Sequence, residues 1–207
     1  MSRDPFVSQV LDRYDASLPV SPPTDPSQVV EEVRQDLEAN LRACAPKNCG
    51  ISRVTARRDG WDDESAQEFE ERIDPHGPLF RLEGIDNKGR HPLRVRLLFL
   101  GEAVHVTFIL TPGRDASPED YGLKRTGRHN VVVLALFGLS SLQFFAHGYH
   151  SVMDKPIDQD VRKLYVRMGF ENGEVLNLTD RRRIQTMAGF VARCLALFRL
   201  DPSQLRY

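Results

Sequence analysis

Between Leu79 and Leu110 the chain carries three β-forming runs divided by two tight polar turns. No other stretch constrains the fold as much. Leu79 to Ile85 leads into Asp86-Asn87-Lys88-Gly89, Leu93 to Leu100 leads into Gly101-Glu102, and Val104 to Leu110 ends at Pro112-Gly113. Runs joined by turns this short form an antiparallel meander. In the third run Val104, Val106, Phe108 and Leu110 point one way, and His105, Thr107 and Ile109 the other. The fold class that follows is α+β: a central, mostly antiparallel sheet with a three-strand meander, flanked by helices.

Helical spacing supplies the flanking elements. Phe6 to Tyr14 places Val7, Val10, Leu11 and Tyr14 on one side. Four prolines between Ser17 and Ser27 rule out a regular element there. Residues 1–26 read as an N-terminal segment with a Pro-rich tether, free to pack elsewhere or on a partner, and 27–207 as a single α/β domain. Asp25 as N-cap and Pro26 at the first turn open a helix with Val29, Val30, Val33, Leu37 and Leu41 on one face. Ile51 to Arg57 reads as a strand. Asn130 to Leu142 is apolar all round and reads as a buried helix, and the aromatic run Gln143 to His150 as a strand. Ile157, Val161, Leu164, Tyr165 and Met168 form a helix stopped by Gly169, with Phe170 folding back on it. A strand at Glu174 to Leu178 follows. A last helix, capped by Thr179 or Asp180 and cored by Ile184, Met187, Ala188, Val191, Cys194, Leu195 and Phe198, ends before Pro202.

Composition removes several function classes. A net charge of −1 over 207 residues gives no global attraction to nucleic acid or acidic membranes. The longest apolar run, Val131 to Leu139, is too short to span a bilayer, and the N-terminus has no secretory pattern. Cys44, Cys49 and Cys194 form neither a disulfide framework nor a CxxC pair, so a cytoplasmic setting is expected. No metal site is expected: His147 and His150, three apart on a strand, face opposite sides. Ser140-Ser141 lacks the GxSxG pattern of a nucleophile elbow. Asp59 to Asp74 is strongly acidic, either a solvated helix face or a docking surface for a basic partner. The arginines at 181–183 and 193 suggest a solvated face or a contact with that acidic stretch.

Gly122 to His129, GLKRTGRH, enters the buried helix. Free backbone N–H groups at a helix start, with flexible glycine, suit an anion, and Arg125 and Arg128 add charge. Downstream, Leu164, Tyr165, Gly169 and Phe170 spell Leu-Tyr-x-x-x-Gly-Phe. With the order of elements, this resembles the GNAT (Gcn5-related N-acetyltransferase) superfamily over roughly Leu79 to Leu178. Lys124, Gly127 and His129 stand nearest to the family's phosphate-loop positions. The chain departs from the family after Leu178, where a helix replaces a strand.

The resemblance implies a sheet splayed to hold acetyl-CoA as co-substrate. The pantetheine arm would lie along the third meander strand at Phe108, Ile109 and Leu110, and the pyrophosphate on Arg125, Gly127, Arg128 and His129. It implies acyl-CoA-dependent N-acyl transfer, by direct attack of an amine of a small molecule or protein on the thioester. Tyr165 would protonate or hydrogen-bond the departing thiolate. His105, on the third strand, and Glu83, on the first, are the candidate bases. The competing expectation is a non-catalytic α/β interaction protein without CoA binding, with a protein partner at the N-terminal segment or the acidic 59–74 stretch.

Overall fold

A computed structural model describes residues 4–17, 20–44, 51–61, 77–110, 126–156, 159–198 and 201–207, with the backbone alone at 44, 108–110, 126–130 and 198. The expected helix over Asp59–Asp74 lies mostly outside these residues, as do Lys124 and Arg125. The elements are α1 (Pro5–Ala16), α2 (Ser27–Cys44), β1 (Ile51–Arg58), β2 (Leu79–Asp86), β3 (Leu93–Leu100), β4 (Ala103–Leu110), α3 (Thr126–Ser140), α4 (Leu142–Ala146), β5 (Ser151–Asp154), α5 (Gln159–Met168), β6 (Val175–Asn177) and α6 (Arg181–Phe198). A single 3-10 turn at Pro202–Gln204 follows.

Six strands form one open sheet in sequential order, β1 to β6. Four of its five pairings are antiparallel: β1–β2, β2–β3, β3–β4 and β5–β6. β4 and β5 run parallel, because α3 and α4 carry the chain back across the sheet before β5 begins. The mixed α+β class expected from the meander is therefore the class observed.

One face of the sheet carries the main core. Phe80 and Leu82 of β2, Val95, Leu97 and Phe99 of β3, and Val104 and Val106 of β4 pack with buried residues of α2, α3 and α6 in one cluster. Phe6, Val7, Val10 and Leu11 of α1 belong to the same cluster. The N-terminal helix is thus built into the domain core, and Arg181 of α6 holds Asp15 at its end (2.8 Å). Arg181 thus finds Asp15, a partner the sequence did not indicate, and most of the acidic 59–74 stretch expected to meet it lies outside the described residues.

The edge of β1 is tied to α2 by side chains. Glu38 accepts the Val54 N–H (2.8 Å), while Arg34 donates to the Val54 carbonyl (3.1 Å) and Arg42 to that of Ser52 (3.0 Å). Backbone groups at a sheet edge are thereby satisfied inside the fold.

Two boundaries differ from expectation. Gln143 to His150 was expected to be a strand, but Leu142–Ala146 is a short helix and the strand starts at Ser151. Leu142, Phe144 and Phe145 are buried on that helix, and Phe144 meets Phe99 at 6.0 Å. Tertiary burial overrides the β preference of the aromatics. Likewise α3 starts at Thr126, so Gly127, Arg128 and His129 lie in its first turn and not in a loop before it. The expected glycine stop is present: Gly169 has φ +103, and Phe170 stacks on Tyr165 with centroids 4.9 Å apart.

Candidate functional site

The junction of β4 and β5 brings a residue singled out by the sequence to the parallel pairing of the sheet. The parallel ladder pairs Ala103–Val106 with Ser151–Asp154 and stops there. The β3 ladder on the other side of β4 continues to Leu110. The parallel ladder ends there because β5 itself ends at Asp154, and β4 runs on beside β3 alone.

To that end α5 brings Tyr165. Its residue is only 3% exposed, and its hydroxyl donates to the Asp154 carboxylate. Asp154 is register-paired with Val106, so the acid sits where the ladder ends. Around the pair, Val106, Leu134, Phe137, Val152 and Met168 line a small apolar cavity of about 10 Å³, room for roughly one water. Burial first, and then the charge and hydrogen bond of Asp154, push the Tyr165 pKa far above that of an ordinary phenol. The hydroxyl therefore stays protonated and acts as a fixed hydrogen-bond donor.

His105 and Glu83 lie elsewhere. His105 is register-paired with Leu98 and with Met153, on the face opposite to Val104 and Val106. Glu83 pairs with Arg94 on the same face as His105; its carboxylate is 4.0 Å from Arg81 and 3.8 Å from His91. The sheet separates Tyr165 from both expected bases. Phe108, Ile109 and Leu110 continue β4 beyond the end of the parallel ladder, opposite Val95, Arg94 and Leu93. The backbone of Gly127, Arg128 and His129 opens α3, where unsatisfied N–H groups are intrinsic to a helix start.

The far face also holds a charged row. Arg57, Arg81, Arg96 and Thr107 are register neighbours across β1 to β4. Arg96 is fully buried, and Asp59 reaches both it (3.3 Å) and Arg81 (2.7 Å). His147 and His150 bind separate carboxylates, Glu32 and Glu102, each at 2.8 Å. Asp154 was missed in the sequence: it stands in an ordinary strand-ending Asp-Lys-Pro, eleven residues before Tyr165, a spacing with no recognisable period.

Compared with known proteins, the chain matches no family model, and neither a curated protein nor a solved structure is similar to it. Among the described residues no helix is long and apolar enough to cross a membrane.

Proposed function

We propose that this chain is an acyl-CoA-dependent N-acyltransferase of GNAT type, transferring an acetyl group to an amine of a small molecule or protein. The observation that carries the reading is the parallel β4–β5 ladder that ends at Val106 and Asp154 with Tyr165 at its end. The resemblance puts the thioester arm along β4, whose residues beyond Val106 have no β5 partner because β5 ends at Asp154. The Leu-Tyr-x-x-x-Gly-Phe helix reaches that point from the next element in the chain.

The reaction would join an amine nitrogen to the thioester carbonyl carbon. The carbon–sulfur bond breaks, sulfur keeps the electron pair, and the amine loses a proton. Tyr165 supports the sulfur by a hydrogen bond from its hydroxyl, redirected from Asp154. Its raised pKa makes full proton transfer to a thiolate uphill, so donation of a hydrogen bond is the role that fits. Asp154, whose strand position puts it on the same face as Tyr165, is the carboxylate that would take the amine proton.

One observation favours a second reading, a non-catalytic α/β interaction protein that binds no CoA. The Tyr165 hydroxyl is already satisfied by Asp154 beside a cavity of only about 10 Å³. Thermal unfolding with acetyl-CoA, and with plain coenzyme A as control, separates the two. Ligand at about 100 times its dissociation constant adds about 2.7 kcal/mol of stability. No shift at millimolar ligand overturns the transferase reading in favour of the second.

A further inference from the structure

At the opposite end of the β4–β5 ladder from Asp154 lies a groove of about 350 Å³, lined by Pro22, Pro23, Pro78, Phe99, Glu102 and Tyr149 among others. That volume is at the lower end of small-ligand sites. Its wall is built into the backbone. Gly148 has φ +88, and a Cβ there would collide with the Val20 carbonyl oxygen and lie 2.8 Å from the Pro22 nitrogen. Only glycine lets the proline segment lie this close.

The floor is Tyr149. Its ring is fixed against Phe99 (5.2 Å) and Phe144 (6.3 Å), and the residue is 1% exposed. Tyr149 is among the residues that line the groove. Burial first, and then the charge of Asp25, raise its pKa to about 12, so the phenol stays neutral. Glu102 stands on the rim, held by His150 (Nδ1 to Oε2, 2.8 Å). Glu102 is the charged residue among those lining the groove, a carboxylate can only accept, and the phenol oxygen itself can accept. The proline rings offer C–H faces to an apolar body.

We infer that this groove binds a small organic ammonium with an apolar or aromatic stem. The stem lies between the proline rings and the Phe99–Tyr149 floor. The ammonium group donates to Glu102 and to the Tyr149 oxygen. The site is separate from the ladder's other end, so the inference does not depend on acyl transfer.

Titration calorimetry of the full chain with phenethylammonium chloride tests it, with phenylacetate as the anion of like shape. The expected result is saturable binding of the ammonium and none of phenylacetate. Glu102→Gln should weaken it roughly tenfold, about 1.4 kcal/mol, and Tyr149→Phe should also weaken it. Glu102 is exposed and Tyr149→Phe keeps the ring, so circular dichroism should show both variants folded. No binding at ten millimolar, equal binding of phenylacetate, or wild-type affinity in both variants overturns the inference.

Discussion

Asn40 and Arg206, far apart in sequence, pair as two backbone segments would. The Asn40 amide donates to the Arg206 carbonyl (2.8 Å) and its oxygen accepts the Arg206 N–H (2.6 Å). Asn40 is fully buried on α2, so this pairing fastens the end of the chain over the core. Asn40→Leu fills the space but removes both bonds to Arg206. Arg206 is exposed and its freed groups can turn to water, so a loss of about 0.5–1.5 kcal/mol per hydrogen bond is expected, read by urea denaturation. Asn40→Asp, which keeps only the acceptor and adds a buried charge, should be no milder.

The N-terminal helix is a second test of how the core is assembled. Leu11 is buried among the core residues. Leu11→Ala should cost about 2–5 kcal/mol, lowering Tm by roughly 2–4 °C per kcal/mol for a chain of this size. Deleting residues 1–17 removes four buried apolar side chains at once. At about 1.5–3 kcal/mol each, their loss rivals a whole domain's stability of about 5–15 kcal/mol, and the truncated chain should show no cooperative unfolding transition.

At the end of the parallel ladder, Asp154→Ala leaves the buried Tyr165 hydroxyl without its acceptor and should cost about 1–3 kcal/mol. Tyr165→Phe is expected to slow acyl transfer while leaving the acetyl-CoA thermal shift mostly intact. An unchanged rate removes Tyr165 from the reaction.

Gly148→Ala should be strongly destabilising for its site. A side chain at this φ costs about 1–2 kcal/mol from the backbone alone, and the tether must move besides. Faster proteolysis between Val20 and Thr24, measured on the folded variant, would report that movement.

Acid should weaken the fold in a defined window. Glu31 accepts from Nε and Nη2 of Arg34 (2.9 and 2.6 Å), and these bonds hold its carboxyl below the usual glutamate range. The folded pKa is the lower one, so the contribution is complete above the ordinary glutamate value of about 4.3 and is lost as pH falls through the folded value. Urea midpoints measured from neutral pH downward should fall below about pH 4.5, and Glu31→Gln should make that fall shallower.

The sequence carried the sheet's meander and most helices because their signals are local: alternation in β2 to β4, helical spacing in α2, α5 and α6, and a glycine stop at Gly169. It did not carry α4, whose aromatics are decided by Phe99 across the sheet. Nor did it carry the end of the β4–β5 ladder. Tyr165 was singled out by its motif, but Asp154 becomes its partner only because β5 ends beside α5. His105 and Glu83 were reasonable bases by type, and strand parity sets them on the other face from Tyr165. Asn40 and Arg96 look like surface residues in any window of sequence; their burial depends on Arg206 and Asp59, which only the folded chain brings near.

The rings of Phe6 and Tyr207 meet edge-on at 5.6 Å, and the Arg13 guanidinium sits 5.1 Å over the Tyr207 ring. This contact bears on the order in which the chain can fold. The meander joins near neighbours and can form as soon as it leaves the ribosome. The first helix, made long before Tyr207, has to keep Val10 and Leu11 out of water by other means until the far end of the chain arrives. During that interval the apolar face of the first helix is exposed, and transiently exposed apolar surface favours aggregation.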